Sequence, residues 1–193
     1  MKKLMKTFGL IVAAVSVLAN HAALAQKGSI TTDAAFQVDR SNLVVGCNCF
    51  RLYGGAAELQ FGVAEHMSVL GSVAAERQTS LTPDGYGLTQ STYLAGLRLF
   101  PLAGPGKLRP FGDVALGLAH AGGSLSPAKT GYGSSNAFAM ELGGGAELRL
   151  SQHWVLVPVE ADYLLTTFSN GGTNRQNQLR LSAGVSYRWR NGR

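Results

Sequence analysis

Every second residue of the stretch LRLSAGVSYRW, Leu179 to Trp189, is apolar: Leu179, Leu181, Ala183, Val185, Tyr187 and Trp189 alternate with Arg180, Ser182, Gly184, Ser186 and Arg188. A period of two assigns the two sets to opposite faces of a β-strand. On a helix the same apolar residues would scatter around the whole circumference. The stretch is therefore a strand with one dry face and one wet face, and the fold must supply an environment for each.

The pattern recurs along the chain. ITTDAAFQVD sends Ile30, Ala34, Phe36 and Val38 one way and Asp33, Gln37 and Asp39 the other, and YGGAAELQFGV opposes Tyr53, Ala57, Leu59, Phe61 and Val63 to Glu58 and Gln60. MSVLGSVAAERQ alternates poorly, with Ser72, Ala74 and Glu76 on one parity, while YLAGLRLFPL sets Tyr93, Ala95, Leu97 and Leu99 against Gly96 and Arg98. RPFGDVALGLAH opposes Val114, Leu116 and Leu118 to Asp113, Ala115, Gly117 and Ala119. FAMELGGGAELRL opposes Phe138, Met140, Leu142, Ala146, Leu148 and Leu150 to Glu141, Gly143, Gly145, Glu147 and Arg149. VLVPVEADYLL opposes Val155, Val157, Val159, Ala161, Tyr163 and Leu165 to Glu160 and Asp162. With the terminal stretch, these make eight predicted strands. Short turns near Ala64–Met67, Ala103–Lys107 and Ser151–His153 alternate with longer polar links through Ser41–Phe50, Thr79–Gln90, Gly122–Asn136 and Ser169–Asn177. That asymmetry is the layout of an antiparallel up-and-down barrel in an outer membrane.

The first residues have the plan of a cleavable export signal: Lys2, Lys3 and Lys6, an apolar run from Phe8 to Leu18, then Ala23-Leu24-Ala25 as a cleavage site. The apolar run is shorter than the roughly 20 residues a spanning helix needs. Residues 1–25 are thus expected to be a signal peptide and 26–193 one barrel domain beginning at Gln26. Removing Lys2, Lys3 and Lys6 takes the formal charge from +6 to +3. The remaining basic residues are scattered singly, which argues against nucleic acid as a partner. Cys47 and Cys49, in GCNCF, are candidates for a loop disulfide outside the cytosol, with two free thiols as the alternative. A metal site would need further ligands, and neither another Cys nor a nearby His supplies them.

Residue size decides which parity meets lipid. The interior of an eight-stranded barrel is just wide enough for side chains to fill, and the polar parity is rich in Gly, Ala and Ser punctuated by charge. The apolar parity carries Tyr53, Tyr93, Phe138, Tyr163, Tyr187 and Trp189 towards strand ends, where aromatic girdles sit. An Arg on the lipid face at mid-bilayer costs about 2–4 kcal/mol. The alternation places Glu58, Arg98, Asp113, Glu141, Glu147, Arg149, Glu160, Asp162 and Arg180 on the other face, as a lumen charge network.

On these residues the chain resembles the small OmpA/OmpX-like outer-membrane β-barrel proteins of Gram-negative bacteria, some of which are called porins. Ser182-x-Gly184-x-x-Tyr187-x-Trp189 is similar to the signal read in barrel precursors by the outer-membrane assembly machinery, with Gly184, Tyr187 and Trp189 as its elements. The resemblance implies a non-enzymatic outer-membrane protein without cofactor. Its partners would be membrane lipid and, during biogenesis, the assembly machinery, and its outer loops would serve adhesion or surface recognition of a ligand that the sequence does not identify.

Three other readings make distinguishable demands. A small pore needs aqueous space in the lumen. A soluble periplasmic lipid-binding barrel needs the apolar parity turned inward. An outer-membrane lipid-modifying enzyme needs a nucleophile, a base and an orienting carboxylate within reach of one another, for which Ser124, His120 and Glu141 are the nearest candidates.

Overall fold

The computed structural model describes residues 28–42, 50–79, 87–102, 107–123, 133–169 and 173–189. Eight antiparallel strands follow one another in chain order: β1 (Ile30–Ser41), β2 (Phe50–Ala64), β3 (Met67–Gln78), β4 (Leu88–Leu99), β5 (Leu108–Gly123), β6 (Gly133–Arg149), β7 (Trp154–Thr166) and β8 (Gln176–Trp189). β8 pairs back onto β1, from Ile30 opposite Trp189 to Ser41 opposite Gln178, so the sheet closes into a barrel with no free edge. Residues 1–27, with the expected signal peptide, and Cys47 and Cys49 lie outside the described residues.

Register fixes the shape of the barrel. Stepping across the wall from Ile30 through Phe61, Val69, Leu97, Val114, Leu142, Tyr163 and Leu179 returns to Arg40, ten residues along β1 (30 to 40) from the start. A stagger of this kind tilts the strands by about 35–45° to the axis. Residues 65–66, 100–107 and 150–153 join strands at one end, and residues 42–49, 79–87, 124–132 and 167–175 join them at the other. The 100–107 connection is as long as the links opposite it, so the expected contrast in loop length is weaker than the sequence suggested. It is pinned to the neighbouring turn by a Phe100 N–H bond to the His66 carbonyl and by His66 Nδ1, 2.8 Å from the Phe100 carbonyl.

The apolar parity faces out. Phe36, Leu59, Leu118, Leu142 and Val159 are each more than half exposed, Leu118 at 60%. An apolar wall running round a whole barrel far exceeds the patches that water-soluble monomers tolerate. The orientation is the reverse of what a soluble lipid-binding barrel requires, and that reading is overturned.

Two expectations about the inner face are corrected. Val155 and Val157, assigned outward by the simple alternation of VLVPVEADYLL, are buried inside at 2% and 6% exposure. Val157 pairs with Gly184 and Glu160 with Ser182, so Pro158 and Val159 together oppose the single residue Ala183. This bulge shifts the parity of β7 by one residue. Pro158, with no N–H for the ladder, occupies it for the reason prolines are confined to edges and bulges. The second correction concerns the filling of the lumen, which is not charged throughout. Leu52, Leu70, Leu88, Leu94, Leu164 and Phe168 form a buried apolar cluster, and Phe100, Phe111 and Val157 form another.

Candidate functional site

Two arginines organise the middle of the lumen. Arg98 on β4 holds Asp113 of β5 through Nε at 2.8 Å and Nη2 at 2.6 Å, Glu160 of β7 through Nη2 at 2.8 Å and Glu58 of β2 through Nη1 at 3.2 Å. Arg180 on β8 holds Asp39 of β1 through Nε at 3.1 Å, Glu76 of β3 through Nη2 at 2.9 Å and Glu141 of β6 through Nη1 at 2.7 Å. The first hub therefore ties β2, β4, β5 and β7, and the second ties β1, β3, β6 and β8, so each strand contributes to one hub. The forked guanidinium is suited to this, since its five N–H donors point in fixed directions in one plane.

Neutral groups complete the two hubs. Gln60 Nε2 donates to both Asp33 and Glu58 at 2.9 Å, and Gln90 and Gln178 exchange amide bonds at 3.0 and 3.1 Å. The Arg98 guanidinium lies 4.0 Å from the centre of the Phe111 ring, which adds a cation–π contact on its apolar side. A third group lies towards the short-turn end. There Glu147 sits 3.7 Å from Arg109 and 3.5 Å from Arg188, and Arg109 stacks 4.0 Å from the Phe100 ring centre. Among the described residues no three His, Cys, Asp or Glu side chains converge as a metal cage. Each carboxylate cluster closes on an arginine instead.

Of the nine residues expected in a lumen network, Glu58, Arg98, Asp113 and Glu160 meet at the first hub, Glu141 and Arg180 at the second, and Glu147 in the third group. Asp162 and Arg149 join none of these ion pairs. Asp162 is cross-strand from Arg180 and only 3% exposed, yet its Oδ1 has no hydrogen-bond partner. It lies against Gly143, its partner on β6, where any Cβ would collide with that oxygen. Asp162 also lines a cavity of about 40 Å³ between the hubs, with Asp33, Glu58, Glu141 and Val157. That is room for about three water molecules.

Sequence reasoning left four participants out of the network. Asp39 was on the polar parity and Glu76 in the poorly alternating third segment, but their convergence on Arg180 depends on register around half the barrel. Arg109 and Arg188 stand near the ends of β5 and β8, and register brings both to Glu147. The signal available for all four was parity together with distance from the turn.

The remaining candidates are placed as follows. Gly184 faces inward where a Cβ would meet Ala35 Cα and Cβ at 2.8 Å, so the β8–β1 seam requires its absence. Tyr187 stacks on His153 at 5.7 Å and meets Trp154 and Trp189 edge-on at 5.1 and 4.9 Å, an aromatic group at the short-turn end. Trp189 Nε1 donates to Thr32 Oγ1 across the seam at 3.3 Å. His120 pairs with Asn136, its Nδ1 2.7 Å from Asn136 Oδ1, on the outer face, whereas Glu141 points into the lumen at Arg180. The two lie on opposite sides of the wall and cannot share a proton, which removes the His120–Glu141 pair as catalytic machinery; Ser124 lies outside the described residues.

No family model matches the chain, and no curated protein matches its sequence. Solved structures match its fold. Neisserial surface protein A superposes with a TM-score of 0.63 at 13% identity, covering 83% of this chain and 99% of that one. Ail, the attachment invasion locus protein of Yersinia pestis, superposes with a TM-score of 0.59 at 14% identity, covering 85% of this chain and 100% of that one. Ail in complex with the heparin analogue sucrose octasulfate gives a TM-score of 0.58 at 14% identity over the same shares. At such identities the likeness is one of architecture: the chain has the eight-stranded barrel fold of the small OmpA/OmpX-like outer-membrane proteins.

Proposed function

We propose that this chain is a non-enzymatic integral outer-membrane protein whose barrel is plugged by its own side chains, contributes to envelope integrity and presents its four longer links outside the cell for adhesion or surface recognition. The observation that carries this reading is the inversion of the barrel. Exposed apolar residues cover the outside, while two arginine hubs that recruit all eight strands fill the inside. A water-filled pore would leave these charges hydrated and separate, whereas 2.6–3.2 Å ion pairs across the lumen span the space an ion would use. The aromatic group of Trp154, Tyr187 and Trp189 supports a membrane interface at the short-turn end. The likeness of fold to Ail, an attachment protein by name, supports a surface role for the opposite end. Export by cleavage before Gln26 and recognition of Gly184, Tyr187 and Trp189 by the assembly machinery belong to the same proposal.

Two measurements test it. The mature chain stays with outer membranes after a carbonate or urea wash, and the purified folded protein in planar bilayers gives no stable porin-sized current. Release by the wash would overturn the membrane reading, and a large steady conductance would overturn the plug.

A further inference from the structure

The outward face of the wall carries its formal charge in one place. Among the described strand residues facing outward, none is Asp, Glu or Lys, and the charged ones are Arg40 on β1, Arg51 on β2 and Arg77 on β3, all exposed. They stand on three consecutive strands, each near the long-link end. Arg40 and Arg51 are direct cross-strand partners. Such a like-charge pairing is destabilising where nothing neutralises it. Arg77 is opposite Tyr53, two residues along β2 from Arg51. Exposed Arg175, just before β8, extends the row to the strand that pairs with β1. None of the four makes an ion pair with a described carboxylate. Across the barrel, Thr89, His120, Asn136 and Thr167 hold the corresponding outward rim of β4 to β7 without a lysine or arginine.

We propose that this half-rim is a docking surface for the phosphate groups of a glycolipid headgroup, of the diphosphorylated lipid A type, in the leaflet that meets the long links. The proposal rests on reading the chain as an outer-membrane barrel. Three features select this occupant. The arginines project from the lipid-facing side of the wall, directly above Val38, Tyr53 and Ala75, rather than over the mouth of the barrel. All four are Arg, whose planar fork binds phosphate in bidentate fashion, and no Lys shares the row. A second copy of the chain offers no complement, because the described outer wall has no carboxylate.

The test uses the full mature protein in phosphatidylcholine nanodiscs, titrated with fluorescent diphosphoryl lipid A, after vesicle flotation has established that it inserts. Wild type binds the diphosphoryl lipid in a salt-sensitive manner and does not bind lipid A stripped of both phosphates. The combined variant R40Q/R51Q/R77Q/R175Q binds at least about tenfold more weakly, because four basic residues at an anionic surface are lost. The matching Arg-to-Lys variant, which keeps the charge but loses the bidentate fork, recovers only part of the affinity and shows that the substituted rim still folds. Equal binding by wild type and the glutamine variant, or equal binding of dephosphorylated lipid, would overturn the proposal. So would a dependence on the four arginines seen only for a heparin-type sulfated oligosaccharide. Failure to float with vesicles would instead overturn the membrane reading beneath it.

Discussion

The ion pairs of Arg180 lie in a space from which water is largely excluded, so the consequence of breaking them is set by what remains. Arg180→Ala leaves Asp39, Glu76 and Glu141 facing one another without a counter-charge. Removing one partner from a buried pair typically costs about 3–5 kcal/mol. The variant is expected to unfold at markedly lower urea concentration in detergent micelles, and adding Glu76→Gln is expected to recover part of the loss. Unchanged stability of Arg180→Ala would mean that water, not arginine, satisfies those carboxylates. Asp162→Asn behaves in the opposite way. Its Oδ1 is buried without a partner, so losing the charge is expected to be neutral or to stabilise by about 1 kcal/mol. A loss as large as that of Arg180→Ala would show that Asp162 has a counter-charge of its own. Inward parity placed both residues correctly on the lumen side, but parity carries no information about which carboxylate an arginine reaches.

At the scale of the strand, β7 and β8 differ in how directly they can be read. β8 keeps one parity from Gln176 to Trp189 and pairs with β1 without a bulge. β7 changes parity at Pro158 and Val159. The proline within VLVPVEADYLL marked that break, because a residue without an N–H cannot continue a ladder on both sides. Tyr187 and Trp189 belong to an aromatic cluster whose pairs contribute roughly 0.5–1.5 kcal/mol each. Changing both to Ala is thus expected to lower equilibrium stability modestly. The effect in cells is expected to be larger, with precursor accumulating in the periplasm at equal expression, because the proposed assembly signal is lost as well. Normal membrane levels of the double variant in a quantitative blot would show that this strand end serves stability alone.

For the molecule as a whole, closure joins the first strand to the last, and Arg180 reaches Glu76 and Glu141 on strands that are not its neighbours. Folding therefore depends on contacts of long sequence separation, which form slowly, so mutations in the hubs are expected to slow refolding into lipid as well as lower stability. Refolding rates that ignore Arg98→Ala and Arg180→Ala would show that the hubs form after closure. The envelope form of the protein is expected to begin at Gln26, which N-terminal sequencing determines; an intact Met1 there would refute cleavage.

The sequence by itself determined the strand number, the face each strand turns outward except at the start of β7, and the confinement of acidic side chains to the inner parity. All of these follow from the period of two and from the penalty for exposing charge to hydrocarbon. Tertiary structure alone decided the partners: Glu160 goes to Arg98 rather than to Arg180, Asp162 to neither, and Asp39 and Glu76 close the second hub. The reason is stagger. A shift of two residues between strands preserves every inward and outward assignment while moving each side chain by about 7 Å along its strand, well beyond the reach of an ion pair.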